Sequence, residues 1–271
     1  MPILHAIVLG ITQGLSEFLP ISSSGHLLLV PWLFGWDDFA GQPALQKTFD
    51  VALHLGTLIA AIAYFRTDLV GYAKVGLSRS ERGTQDFRIA WLLVASAVPA
   101  AVLGALFSDV IDRKTGYIWL VATMLIVFGL VLGWADRRPG TRTIERLTAR
   151  DAMWMGLGQA MALQPGVSRS GVTMTAGRVS GLGRDGAARF AFLMSIPIIA
   201  GALLFKAKDV VADGIPDGFA APFVWGVVAS GVTGWLAVWG MLRLLKTRSF
   251  MPFVVYRVAL GTSVLVLYVI R

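Results

Sequence analysis

Glu17-Phe18-Leu19-Pro20-Ile21-Ser22-Ser23-Ser24-Gly25-His26 interrupts an apolar run that starts at Pro2 and continues to Phe34. A carboxylate, a proline, three hydroxyls, a glycine and an imidazole stand where the flanks would otherwise join into one hydrophobic helix. A second stretch has the same character. Ala152 to Leu182 is apolar at both ends and is broken by Gln164-Pro165-Gly166-Val167-Ser168-Arg169-Ser170-Gly171. Backbone that leaves a helix within a bilayer must be buried in protein or line a wet cavity. The two breaks are therefore expected to face each other in the interior.

The rest of the chain establishes that lipid is the solvent. Of 271 residues, 56% are hydrophobic and only 15% charged, against about 25% charged in soluble domains. Six runs come near the roughly 20 residues that a helix needs to cross hydrocarbon. They are Phe49–Phe65, Ile89–Phe107, Tyr117–Ala135, Phe190–Phe205, Phe223–Leu242 and Phe253–Ile270. The formal charge of +8 lies in short loops between these runs, which argues for membrane topology and against nucleic acid. The absence of cysteine excludes a disulfide scaffold, a thiolate metal site and a thiol nucleophile. Met1–His5 has no basic region of the signal-peptide kind, so insertion is expected to rely on the spans themselves.

Loop charges set the orientation. Arg66, Lys74, Arg79, Arg82 and Arg88 fall in one connection, and Arg137, Arg138, Arg142, Arg146 and Arg150 in another. A third holds Arg243, Lys246 and Arg248. All three belong in the cytoplasm by the positive-inside rule, and the loops Ser108–Gly116 and Lys206–Ala221 fall outside by alternation. Phe49–Phe65 then runs inward and Phe190–Phe205 outward, although their surroundings resemble each other. Gly10, Gln13, Ser22, Ser24 and Gly25 match Gly156, Gln159, Ser168, Ser170 and Gly171 at a constant offset. The expected fold is an all-α polytopic membrane protein of two inverted-topology repeats. Each repeat is a re-entrant broken helical hairpin followed by three transmembrane helices. A single integral membrane domain, 1–271, would hold repeat one at about 1–135, repeat two at about 151–271 and a cytoplasmic linker between them. Such an architecture places a polar site near the midplane.

Glu17, His26 and Arg169 are ionisable groups in apolar surroundings, which are costly in a bilayer and usually functional. Arg169 offers a donor fork that suits phosphate. It sits among small residues ahead of a helix expected to begin near Ser170, where backbone N–H groups favour anions. Ser22, Ser23, Ser24, Ser168, Ser170, Gly171 and Thr173 complete the expected lining. Glu17, with Gln13 one turn earlier, supplies hard oxygens for Mg²⁺ or Ca²⁺. Ser23 and His26 are three residues apart, a spacing that lets an imidazole reach a hydroxyl as general base. These parts describe phosphoryl transfer. Plainer readings also exist. Glu17 and Arg169 can form a structural ion pair, and serines can merely bridge helices. His5 and His54 read as interfacial or packing residues, and Arg257, beside Tyr256, as a side chain that snorkels to the cytoplasmic interface.

The chain resembles the undecaprenyl-diphosphate phosphatase family of bacteria, also called the bacitracin-resistance protein family, from Gly10 to Tyr268. The segment Gln13 to His26 is similar to the family's (Glu/Gln)-x-x-x-Glu motif with its trailing Ser-Ser-x-Gly-His, and Pro165 to Thr173 to its Pro-Gly-x-Ser-Arg-Ser-Gly motif. The stretches from Thr48, Leu55 and Pro252 are lesser matches. The resemblance implies hydrolysis of a polyprenyl diphosphate lipid to the monophosphate and inorganic phosphate, recycling the carrier of peptidoglycan synthesis, with bacitracin resistance as a consequence. It also implies Glu17 as the essential carboxylate, Ser23 as nucleophile or phosphate ligand, His26 as the catalytic histidine, Arg169 as the phosphate-binding arginine, and dependence on Mg²⁺ or Ca²⁺. Gln13 stands where some members have Glu, so Glu17 is the one firm acid.

The expected location is the bacterial cytoplasmic (inner) membrane, multi-pass, with the site open to the outer, periplasmic side. The expected partners are the polyprenyl diphosphate and membrane lipids. The oligomeric state is left open, a homodimer included, as is the choice between Ser23 and water as nucleophile. The rival reading is a secondary transporter or polyprenyl-lipid flippase that uses the same midplane cavity.

Overall fold

The computed structural model describes the backbone of residues 1–271 outside residues 40, 115–116 and 214–215, and side chains outside residues 40, 107–116 and 206–215. The described residues form helices α1 (Ile3–Phe18), α2 (Ser23–Phe34), α3 (Pro43–Tyr64), α4 (Arg66–Leu77), α5 (Gln85–Lys114) and α6 (Ile118–Asp136). A single 3₁₀ turn, Ile144–Arg146, leads into α7 (Ala149–Met161), α8 (Arg169–Val179), α9 (Arg184–Asp213), α10 (Ala220–Leu244) and α11 (Met251–Ile270). Helices α5, α6, α9, α10 and α11 are each long and apolar enough to cross a bilayer. Helix α3 qualifies only together with α4, from which it bends by 77°. The protein is an all-helical, multi-pass membrane protein.

Both expected hairpins form, and neither arm of the second can span. At 1.5 Å per residue, the 13 residues of α7 and 11 of α8 reach only about 20 and 17 Å, against a hydrocarbon core of about 30 Å. The 12 residues of α2 reach about 18 Å. The hairpins enter from opposite ends of the bundle, and α11 provides the ruler. Near its start, the backbone N–H of Phe250 donates to Asp136 at 3.0 Å. Asp136 also accepts from Arg184 at 2.6 Å, and its backbone carbonyl accepts from Arg178, at the close of α8. The open end of the second hairpin therefore lies at the basic-loop end. At its far end, Arg271 donates to the carbonyl of Trp32 in α2 at 3.1 Å. The open end of the first hairpin lies there.

Helix α1 packs chiefly on α10, and α7 packs chiefly on α5. Small residues permit these crossings, as is usual where lipid offers no hydrophobic drive between helices. A Cβ on Gly156 of α7 would lie 2.5 Å from the Ser96 carbonyl of α5, so glycine alone fits there. The largest buried cluster gathers Phe18, Phe65, Phe190, Phe192 and Phe250 toward the basic end.

One expectation changes. The connection from Arg66 to Arg88 is not a plain loop, because α4 occupies half of it with no buried residue. Lying at 77° to α3, it fits the interface plane rather than the core. The helix after the second break starts at Arg169, next to the expected Ser170. Of the expected outer loops, the side chains of 108–116 and 206–215 lie outside the described residues.

Candidate active site

Pro20 and Pro165 help end the first arm of each hairpin, and a serine restarts the second. Ser22 caps α2 and Ser168 caps α8, with φ of 79° and 74°, a region that residues with a Cβ rarely enter. Each hydroxyl oxygen repays part of that strain by accepting the N–H of the residue three on. Gly25 N lies 3.3 Å from Ser22 Oγ, and Gly171 N lies 3.1 Å from Ser168 Oγ. The tips are then stitched together. Gly166 N donates to Ser22 Oγ at 3.2 Å, and Ser170 Oγ donates to the Leu19 carbonyl at 3.0 Å.

This joinery turns the first residues of α2 and α8 toward the last turn of α1. Glu17, 4% exposed, sits between them. Its Oε1 accepts Arg169 Nη2 at 2.7 Å. Its Oε2 accepts Ser23 Oγ at 2.5 Å and Gln13 Nε2 at 3.0 Å. The carboxylate thus lies across from two helix N-termini, where the partial positive charge favours an anion. Two buried polar atoms beside it have no hydrogen-bond partner, Arg169 Nη1 and Gln13 Oε1. A buried donor or acceptor left unpaired costs about 1–3 kcal/mol. One orphan donor and one orphan acceptor flanking a carboxylate are the outline of a site built for a ligand.

His26 belongs elsewhere. The expected His26–Ser23 pair is absent, because Nδ1 contacts the Ser22 carbonyl at 2.7 Å and Nε2 the Tyr256 hydroxyl at 2.8 Å. Helical side chains lean back toward the N-terminus, which carries the ring past Ser23 onto Ser22. A carbonyl only accepts, so Nδ1 carries the hydrogen and Nε2 accepts from Tyr256. Thr173 also turns away, since its hydroxyl donates to the Arg169 carbonyl of its own helix at 2.8 Å. Ser22 spends its oxygen on its cap and keeps a proton to give; Ser170 spends its proton on Leu19 and accepts that of Ser168 at 3.4 Å.

Two residues that the sequence reading set aside are at the site. Arg257 does not snorkel. It is 0% exposed, and it donates to the carbonyls of Pro20 at 3.2 Å, Gly166 at 2.9 Å and Val167 at 3.0 Å. It also donates to Leu125 of α6 at 3.1 Å. A guanidinium from the last span thereby clamps both breaks. Gly171 makes room for it, because a Cβ there would lie 2.8 Å from Arg257 Nη1. His54, from α3, places Nε2 3.6 Å from Glu17 Oε2. The signal for both was the one that picked out Arg169: an ionisable group within an apolar span.

Among the described residues, no group of three or more His, Cys, Asp or Glu is placed to hold a metal ion. Any cation at Glu17 would therefore have to draw ligands from amide and hydroxyl oxygens and from the bound substrate.

Comparison with known proteins shows the family to which the chain belongs. The family described as Bacitracin resistance protein BacA matches residues 6–263. The undecaprenyl-diphosphatase of Pelotomaculum thermopropionicum is 47% identical over 272 aligned positions, covering 100% of this chain and 98% of that protein. The proteins of the same name from Pelobacter propionicus and Nocardioides sp. are 47% and 46% identical, and in both cases 97% of this chain and 96% of the relative are aligned. With a match that takes in both broken hairpins and every span between them, this chain belongs to the bacitracin resistance protein family.

Proposed function

We propose that the protein hydrolyses undecaprenyl diphosphate, or a similar polyprenyl diphosphate, to the monophosphate and inorganic phosphate, so returning the lipid carrier to peptidoglycan synthesis and conferring bacitracin resistance. The observation that carries this is Ser23 Oγ held 2.5 Å from Glu17 Oε2, beside an arginine with one buried nitrogen still unpartnered. A transporter needs a cavity of this kind but no hydroxyl poised against a carboxylate.

In this mechanism Arg169 keeps Nη2 on Glu17 and gives Nη1 to an oxygen of the terminal phosphate. Glu17 takes the Ser23 proton as Oγ attacks the terminal phosphorus. The bond from that phosphorus to the bridging oxygen breaks, and polyprenyl monophosphate leaves. Glu17 passes that proton to the departing monophosphate; ionised again, it takes a proton from the water that attacks the phosphoserine phosphorus and returns it to Ser23 Oγ as inorganic phosphate leaves. The N-termini of α2, capped by Ser22, and of α8, capped by Ser168, with the remaining proton of Ser22, stabilise the charge spread over the transferring oxygens. Ser24, Ser170 and Gly171 line the same turns.

Mg²⁺ or Ca²⁺ fits the donor set. Gln13 Oε1 is an orphaned hard oxygen on the residue bonded to Glu17, and such ions are often held by one or two carboxylates plus substrate phosphates. Gln13 and Glu17 would hold it, and when bound it would supply neutralising charge to the diphosphate.

Two oppositely inserted repeats, 1–135 and 151–271, underlie this arrangement. The paired serine caps and the crossings of α1 on α10 and α7 on α5 support that reading. Within the cytoplasmic membrane, basic loops inside and a first hairpin opening at the far end direct the site toward the outer face. The polyprenyl tail lies among the apolar helices.

Purified protein in detergent is expected to release phosphate from undecaprenyl diphosphate, and chelation of divalent ions to suppress that release. No release under any ion condition would overturn the proposal. Tyr256→Phe, which removes the hydroxyl on His26 Nε2, is expected to leave kcat and KM within about threefold of the unchanged protein, because no step of this mechanism passes through that ring. Steady-state kinetics with a thermal melt checks it.

A further inference from the structure

Helix α3 contributes a residue to the site that neither broken hairpin supplies. His54 Nδ1 lies 2.7 Å from the carbonyl oxygen of Asp50, one turn back on the same helix. That carbonyl only accepts, so Nδ1 donates, and the ring is fixed with its opposite edge turned to Glu17. The gap of 3.6 Å from His54 Nε2 to Glu17 Oε2 is too long for a hydrogen bond. Nε2 is therefore near the carboxylate without being committed to it. Burial separates His54 further from its neighbours. Its side chain is 31% exposed, against 17% for Arg169 and 4% for Glu17, so of the three it is the most accessible. His26, by contrast, has both ring nitrogens engaged.

Resting on the hydrolysis reading above, we infer that His54 is a substrate-binding residue whose Nε2 contacts an oxygen of the phosphate being transferred, opposite the orphaned Nη1 of Arg169. The contact does not depend on the ring's charge. With a hydrogen on Nε2 it donates to a bare phosphate oxygen, and without one it accepts from a protonated phosphate. Phosphate would then be held from three elements: Arg169 of α8, the start of α2, and His54 of α3. Anchoring makes this third contact rigid, because Phe49 and Leu53 on the same helix are fully buried and Ser230 of α10 bonds the Leu53 carbonyl at 2.7 Å.

The test compares His54→Ala with His54→Gln in full-length purified protein. Glutamine reaches a similar point with an amide that can donate or accept but cannot titrate. His54→Ala is expected to lower kcat/KM for undecaprenyl diphosphate tenfold to a hundredfold, on the order of one hydrogen bond to a charged group. It is also expected to weaken inhibition by inorganic phosphate. His54→Gln is expected to stay within about threefold of the unchanged protein in both, as a conserved contact predicts. Melting temperature, with and without inorganic phosphate, separates binding from folding. The phosphate-induced rise should shrink in His54→Ala and persist in His54→Gln. Unchanged kinetics and an unchanged phosphate-induced rise in His54→Ala would overturn the assignment. So would a His54→Gln protein that melts normally yet loses as much as His54→Ala. If the unchanged protein releases no phosphate, the hydrolysis reading fails by itself, and the phosphate-dependent melting of the two variants still decides the binding role.

Discussion

Glu17→Gln lowers phosphate release by about a thousandfold or more, and the further change Arg169→Gln does not restore it. This outcome separates catalysis from structural ion pairing. Glutamine keeps the shape of the side chain but cannot take the Ser23 proton, and a positioned base contributes roughly 10²–10⁴ in rate. The change also strands Arg169, whose Nη2 sits 2.7 Å from Glu17 Oε1. Removing one partner of a buried pair costs about 3–5 kcal/mol, whereas replacing both is often close to neutral. The single variant is thus expected to melt several degrees lower and the double variant to recover most of that loss. Activity follows the opposite logic, since the double variant lacks base and phosphate ligand alike. Thermal melts beside phosphate-release kinetics make the check. A double variant that regains both stability and activity would reduce the pair to a strut.

Arg257→Met is expected to be the most damaging substitution outside the Glu17 cluster. Methionine fills much of the volume but gives nothing to the carbonyls of Pro20, Gly166 and Val167. These belong to irregular backbone, where helix bonding provides no substitute. Each unsatisfied buried carbonyl costs about 1–3 kcal/mol, so a loss of about 3–5 kcal/mol is expected even if water reaches one of them. Both hairpin tips should loosen together. The measurement is the melting temperature in detergent, supported by hydrogen exchange at residues 19–22 and 164–168. Normal protection at both tips would show that the clamp is dispensable.

Much of this was readable from residue order. Proline, glycine and serine clusters in apolar runs mark both breaks, and the bilayer's intolerance of unpaired backbone brings them together. Glu17 and Arg169 follow, because two opposite charges buried in one protein interior find each other. Other contacts were hidden for definite reasons. Spacing of three residues put Ser23 within reach of His26, but it could not show that Ser23 turns across the break to Glu17 while the imidazole leans back onto Ser22. With Tyr256 as its neighbour, Arg257 reads as an interfacial anchor. Yet it is the seventh residue of α11, about 9 Å along the axis, and only the approach of both tips explains why it stays inside. Helix α4 is hard to read from residue order because its apolar residues are interleaved with Arg66, Asp68 and Lys74, and those that meet the core, Leu69 and Tyr72, are only partly buried.

The bond between Arg169 and Glu17 spans 152 residues of chain, and this separation has a cost during biosynthesis. At roughly 5–20 residues per second, the acid waits on the order of 8–30 s after emerging from the ribosome before its counter-charge exists. Until then a carboxylate in hydrocarbon would have to stay protonated or keep to the water boundary. The amino-terminal hairpin therefore cannot settle at its final depth with Glu17 ionised when it is made. The ionised pair awaits the carboxy-terminal half, which makes assembly of the catalytic centre a late event in insertion.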